Sequence, residues 1–393
     1  MLAIGAIFRD EYDYLVEWFA WHMIAGFKRF LIADNGSTDG TLALLEALSD
    51  LGVINLIYQP VLEKQAQLVA YQRIAQLAIN EAVESVLYID ADEFIVHESM
   101  LDGEEYRHLE KLMSEPHVGM VGINWRTFGS SGHKVQTSEP VLQRFTEFCN
   151  ETEYSVNSHL KSITKVCRAK DIGPHKSNLF PGSLLIDSNG AELYGFIDGR
   201  KPGSAEVEYS SITRHVVESP LRINHYVIKS EQEFVEKKRR RGSAMKGISF
   251  DKGEGYFLNH DFDDATFIFP AAKLNRLKQE IDYVKSILNT TLFDRKLRGA
   301  LDLSNSSDIR GWLVDENRQS DGIKINIFVN DVWQGRVACG FYRPDLKEKN
   351  ISATGLSGFR YTHPKPLTSG DVVEVKVHAN RYLFPGGGSA TIV

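Results

Sequence analysis

Long apolar runs are missing from this chain. Nothing in it approaches the ~18 consecutive apolar residues that a membrane-spanning helix needs. The opening Met1-Leu2-Ala3-Ile4-Gly5-Ala6-Ile7 is apolar, but it is too short and lacks the basic start of a secretory signal. It reads as the first strand of a sheet. Cysteine is scarce: Cys149, Cys167 and Cys339 are widely spaced and odd in number. That pattern excludes a disulfide framework or a thiolate metal site and suits a reducing cytoplasm. Positive charge is not in excess, since 45 Lys and Arg against 52 Asp and Glu give a formal net charge of −7. Broad nucleic-acid binding is therefore not expected. Internal repeats and low-complexity tracts are lacking too. What remains is an ordinary globular composition in a chain of 393 residues, long enough for two or three domains.

The first third alternates strand and helix patterns. Ile4 to Phe8 reads as a strand, and Asp10 as the N-cap of a helix carrying Leu15, Trp18, Phe19 and Met23 at helical spacing, closed by Gly26. Phe30-Leu31-Ile32 and Val53 to Tyr58 read as further strands, separated by a Leu-rich helix from Leu42 to Leu48. A long helix from about Glu63 to Val83 then leads into a strand ending at Asp90. This alternation predicts an α/β fold with a mostly parallel sheet covered by helices on both faces. From about Leu301 the pattern changes to short β-rich runs, Gly311 to Val314, Lys324 to Val329 and Val372 to His378, with one helical turn at Pro344 to Lys347. These predict a separate all-β domain of sandwich type. The expected boundaries are 1–245 for the α/β domain, 246–298 for a helical extension and 299–393 for the sandwich.

The most informative segment is Leu87-Tyr88-Ile89-Asp90-Ala91-Asp92-Glu93-Phe94, an apolar strand that ends in three carboxylates within four residues. Strand ends in open α/β sheets are where ligands bind. Clustered carboxylates there repel one another and cost desolvation energy. A divalent cation bridging protein oxygens to a diphosphate gives them a purpose; a solvated turn is the plainer alternative.

Four motifs in order sharpen this. They are Phe8-Arg9-Asp10-Glu11 running on to Trp18, His22 and Gly26; the loop Asp34-Asn35-Gly36-Ser37-Thr38-Asp39-Gly40-Thr41; Asp90 to Phe94; and Asn224-His225-Tyr226 with Lys229-Ser230 and Lys237 to Gly242. Together they resemble the nucleotide-binding domain of family-2-like glycosyltransferases, in the branch related to family 92. Asp10 stands where that family usually has Asn. The resemblance implies a GT-A (Rossmann-like) catalytic domain, a UDP-sugar donor, and Mn²⁺ or Mg²⁺. Carried over by position, Asp34 would accept a hydrogen bond from the uracil N–H, Asp90 would face the ribose and the metal, Asp92 would ligate the metal, and His225 would be its late ligand. Arg9, Lys237 and Arg241 would contact the donor. The basic run 237–241 has two other readings, a solvated helix face and contact with anionic lipid head groups. The resemblance also implies inversion at the anomeric carbon, which calls for a general base. Glu139, Asp171 and Asp187 are its candidates by position, and the sequence does not choose among them.

The expected activity is thus transfer of a sugar, with galactose as a first guess, to a glycan or lipid-linked glycan in surface-polysaccharide synthesis. Peripheral membrane association through the acceptor goes with that expectation. Two rival classes stand beside this expectation. A sugar nucleotidyltransferase needs a Gly-rich basic loop after the first strand, whereas Phe8-Arg9-Asp10-Glu11-Tyr12 is acidic and Gly-free. A non-catalytic carbohydrate-binding protein would act through Trp312, Trp333, Tyr342 and Tyr382 of the β domain, but that leaves Asp90 and Asp92 without a purpose.

Overall fold

The computed structural model describes residues 1–37, 39–59, 65–153, 155–193, 211–238, 253–288, 296–303, 307–316, 323–330, 332–377 and 389–391. The chain forms two compact units, one of residues 1–133 with 140–288 and one of residues 134–139 with 289–393.

In the first unit, β1 (Leu2–Phe8), α1 (Tyr12–Ile24), β2 (Phe30–Asp34), α2 (Thr41–Asp50), β3 (Asn55–Tyr58), α3 (Ala66–Asn80) and β4 (Ser85–Tyr88) follow one another. Strands β3, β2, β1 and β4 lie side by side and all parallel. Period-two alternation divides their side chains between two faces. On one face Ala3, Leu31, Ala33 and Val86 pack against Ala70, Tyr71, Ile74 and Ala78 of α3. On the other, Phe8 meets Trp18 and Phe30 meets Phe19 of α1, each pair of rings 5.1 Å apart and near perpendicular. Gly5 is what lets α3 approach, because a Cβ there would lie 2.8 Å from Val86 Cγ1 and 3.0 Å from Ile74 Cγ2. Each fully buried aliphatic or aromatic side chain in these layers contributes roughly 1.5–3 kcal/mol.

Beyond β4 the parallel order breaks. The strand Leu160–Lys165 inserts antiparallel between β4 and β6 (Val118–Thr127). Then comes Leu221–His225, parallel to β6, and last β5 (Glu93–His97), antiparallel to it. The sheet is therefore mixed, α/β and mostly parallel, with the later Leu160–Lys165 strand paired directly to β4.

Asp10 does not cap α1. Its φ is 53° and Glu11 occupies the cap position without a side-chain capping bond to the helix. The reason lies in the neighbouring loop: Ser37 Oγ accepts from Asp10 N at 3.0 Å, Thr41 Oγ1 from Glu11 N at 2.8 Å and Asp39 Oδ2 from Tyr12 N at 3.2 Å. Acceptors from the β2–α2 loop satisfy amides that a local cap would have taken.

The second unit is built of antiparallel strands. One sheet joins Leu297–Leu303, Asp308–Asp315 and Gly358–Thr362; the other joins Val332–Ala338, Lys324–Val329, Val372–Val377 and Ser389–Thr391. Ile309, Leu313 and Phe359 from the first sheet share one core with Ile325, Ile327, Val373 and Val375 from the second. That is the arrangement of a β-sandwich. A single helical turn, Pro344–Glu348, interrupts it.

Candidate active site

The end of β4 carries the carboxylates, and helix α1 fixes the backbone there. Trp18 Nε1 donates to the carbonyls of Asp90 (3.1 Å) and Glu93 (3.0 Å), and Trp21 Nε1 to that of Ile95 at 2.7 Å. His22 is buried between Trp18 and Phe94, bonded through Nδ1 to the Trp18 carbonyl at 2.7 Å. Burial pushes its pKa down to about 3, so it serves as a neutral core group.

The Asp90 carboxylate is held on both oxygens. Oδ1 accepts from Gln67 Nε2 at 2.7 Å and Tyr71 OH at 3.1 Å, both one turn apart on α3. Oδ2 accepts from Lys161 Nζ at 2.8 Å. Lys161 is fully buried, while the Asp90 side chain keeps 35% exposure. Burial raises the Asp90 pKa, but the Lys161 ammonium more than offsets it and holds the group below the ordinary carboxylate value. Glu93 accepts from Asp90 N at 2.9 Å and lies 3.4 Å from Lys161 Nζ. Being fully buried, it is pushed up to about 8 in spite of Lys161.

Asp92, in the turn just before β5, and His225, at the end of the Leu221–His225 strand, come together with Oδ2 and Nε2 3.8 Å apart. Two ligands at ~2.1 Å from one ion lie from roughly 3 Å (cis) to roughly 4.2 Å (trans) apart in an octahedral shell, and 3.8 Å falls within that range, so one divalent cation could lie between this pair. Among the described residues no three metal-ligating side chains converge. Mg²⁺ or Mn²⁺ held by this pair would have to complete its shell with phosphate oxygens and water. Such an ion would supply positive charge against a departing diphosphate. Beside the pair, the Trp125 ring lies 4.3 Å from His225, 5.0 Å from His159 and 5.5 Å from His175. His175 is held down to about 4 by burial and then by the Lys161 charge, with Nδ1 donating to the Leu160 carbonyl at 3.0 Å.

Asp34, at the end of β2, is buried and accepts from the backbone N–H of Gly36 (2.9 Å) and Ser37 (3.2 Å). It closes the loop that in turn holds the start of α1. Arg9 is half-buried just after β1.

Of the three base candidates, Asp171 and Asp187 have the following partners. Asp171 is exposed and accepts from Asn178 Nδ2 at 3.1 and 2.9 Å. Asp187 closes a turn, accepting from Asn189 N and Ala191 N. Glu139 falls in the second unit. His133 bonds the Arg144 carbonyl at 2.9 Å, a structural contact. The side chain of Lys237 and all of Arg241 lie outside the described residues.

Sequence reasoning missed Lys161, Trp125 and a buried clamp on the segment following His225. There Ser230 and Glu233 form a capping box. The Glu233 carboxylate also accepts from Arg144 Nη1 (2.8 Å), Arg144 Nη2 (3.0 Å) and Tyr14 OH (2.6 Å). Burial raises the Glu233 pKa, but Arg144 outweighs it and brings the group to about 2. The Ser-x-x-Glu pattern at 230–233 was a readable capping signal; the Arg144 partner was not.

The sequence profile of glycosyltransferase family 92 matches residues 5–201, half of the chain. No curated protein sequence matches. Among solved structures, S. aureus TarS 1-349 in complex with UDP is 14% identical, over 81% of this chain and 97% of that one, with a TM-score of 0.32. The TarS 1-349 complex with UDP-GlcNAc is 16% identical over 42% of this chain, which spans only 45% of TarS there, with a TM-score of 0.27. A Bacillus anthracis protein described as a glucose-1-phosphate thymidylyltransferase is 8% identical over 42% of this chain and 72% of that one, with a TM-score of 0.26. Scores this low leave the functional reading to the family match and to the site itself.

Proposed function

Because the chain belongs to glycosyltransferase family 92, and so is an enzyme that uses a nucleotide-sugar donor, we propose that it moves a sugar from a UDP-sugar with the help of a divalent cation at Asp92 and His225. The observation that carries this reading is the 3.8 Å pairing of carboxylate and imidazole at the strand end, next to an Asp90 carboxylate fixed for hydrogen bonding. Carboxylate with imidazole favours Mn²⁺ over Ca²⁺ in such a site. Asp90 faces the ribose in this reading, and Asp34 shapes the loop around the base and accepts the uracil N–H. Arg9, Lys237 and Arg241 add donor contacts. Reaction proceeds with inversion onto a glycan or lipid-linked glycan, and galactose is the first donor sugar to test.

The second unit has an accessory part in this proposal, meeting the glycan acceptor. Phe341 and Tyr342 are 56% and 55% exposed, and aromatic faces of this kind stack on sugar rings. Trp312 is half-buried, and the side chains of Trp333 and Tyr382 lie outside the described residues.

Asp92→Ala tests the proposal. It should abolish Mn²⁺-dependent UDP binding by calorimetry while leaving the circular-dichroism melt intact. Wild-type UDP affinity in that variant would remove the metal assignment.

A further inference from the structure

We infer that Lys161 is a positioning residue that serves as the standing cation of Asp90, so that the divalent ion enters only together with the nucleotide. The inference rests on the function proposed above.

A fully buried lysine needs partners, because an unpaired ammonium away from water is costly. Here the partners are Asp90 Oδ2 at 2.8 Å and Glu93 Oε2 at 3.4 Å. The fold delivers Lys161 deliberately: its strand lies antiparallel between β4 and β6, with Ser162 opposite Tyr88 and Lys161 opposite Ile123. The ammonium therefore sits just beyond the end of β4, under the carboxylates. Gln67 and Tyr71 engage the other oxygen of Asp90. With three donors on it, Asp90 has a compensated charge and a fixed orientation, yet its side chain is still 35% exposed. Such a group accepts a ligand hydroxyl well and competes poorly for a second cation. The ion is then left to Asp92 and His225. Two protein ligands seldom hold Mg²⁺ or Mn²⁺ without phosphate oxygens to complete the shell.

The test titrates Mn²⁺ alone, and Mn²⁺ in the presence of UDP, into the full-length protein by calorimetry and Mn²⁺ paramagnetic resonance. The wild type should take up Mn²⁺ with UDP and at least about a hundred-fold more weakly without it. Lys161→Met exposes the Asp90 charge beside Asp92 and should gain roughly ten-fold in affinity for Mn²⁺ alone, whereas Lys161→Arg should behave as the wild type. Removing one member of a buried pair also destabilises the protein. The neutral pair Asp90→Asn/Lys161→Met guards against that, since replacing both partners is better tolerated. It should fold and lose the gain for Mn²⁺ alone, and its UDP binding should weaken through loss of the Asp90 carboxylate while remaining Mn²⁺-dependent.

Three results would overturn the inference. They are equal Mn²⁺ affinity of the wild type with and without UDP, no gain in a folded Lys161→Met, and a folded double variant whose UDP binding ignores Mn²⁺. Absence of any UDP binding by the wild type would instead strike at the proposed function.

Discussion

Glu233 shows how a single buried carboxylate ties the site to acid stability. Its folded pKa of about 2 stands against an ordinary value of 4.5. A depressed carboxyl stabilises the fold above the unfolded value and loses that contribution as pH falls through the folded one. About 3 kcal/mol, by order of magnitude, should thus be present at pH 7 and drain away between roughly pH 4.5 and 2. Glu233→Gln should be destabilised at pH 7 by roughly 3–5 kcal/mol, because Arg144 is left buried without its counter-charge. It should also lose less stability than the wild type on acidification. Denaturant unfolding at pH 7, 4 and 3 measures both, and parallel acid profiles for the two proteins would contradict the assignment. Residues like this mark the limit of a sequence reading. Asp34, Asp90, Asp92 and His225 stood out as candidates in the sequence because each lies at or just beyond an apolar strand, where ligands bind in open α/β sheets. Lys161 lies 71 residues from Asp90 and Arg144 lies 89 from Glu233. A lone Lys or Arg in such a stretch reads as a solvated side chain until its partner is placed.

At the scale of elements, β1 to β4 and the helices between them were legible, because hydrophobic periods of 2 and 3.6 report burial directly. The antiparallel Leu160–Lys165 strand was not: Leu160-Lys161-Ser162-Ile163-Thr164-Lys165 alternates poorly, since it is buried on both sides and carries a functional lysine. The loop after β6 makes a related point. Phe128-Gly129-Ser130 has the composition of a loop, but its glycine has a tertiary cause. A Cβ on Gly129 would lie 2.3 Å from the carbonyl oxygen of Phe262 and 2.7 Å from its amide nitrogen. Asp261 Oδ1 meanwhile accepts from Ser130 N at 2.7 Å, binding the two segments. Backbone against backbone cannot yield cheaply, so Gly129→Ala should cost roughly 1–3 kcal/mol by denaturant unfolding. A neutral result would mean that the 261–262 segment moves without penalty.

For the whole molecule, a mixed α/β unit carries the site and a β-sandwich unit presents exposed aromatics. Among the described residues no helix is long and apolar enough to cross a membrane. The account turns on one joint property, recognition of a uridine diphosphate through a divalent ion. The most direct measurement is calorimetric titration of UDP, with GDP, CDP and dTDP beside it, into the wild-type protein in Mn²⁺ and again in EDTA. UDP binding in Mn²⁺ that disappears in EDTA, with the other nucleotides weaker, is the predicted result. UDP binding that EDTA leaves unchanged would contradict the metal, and binding of no nucleotide at all would contradict the UDP-sugar reading as a whole.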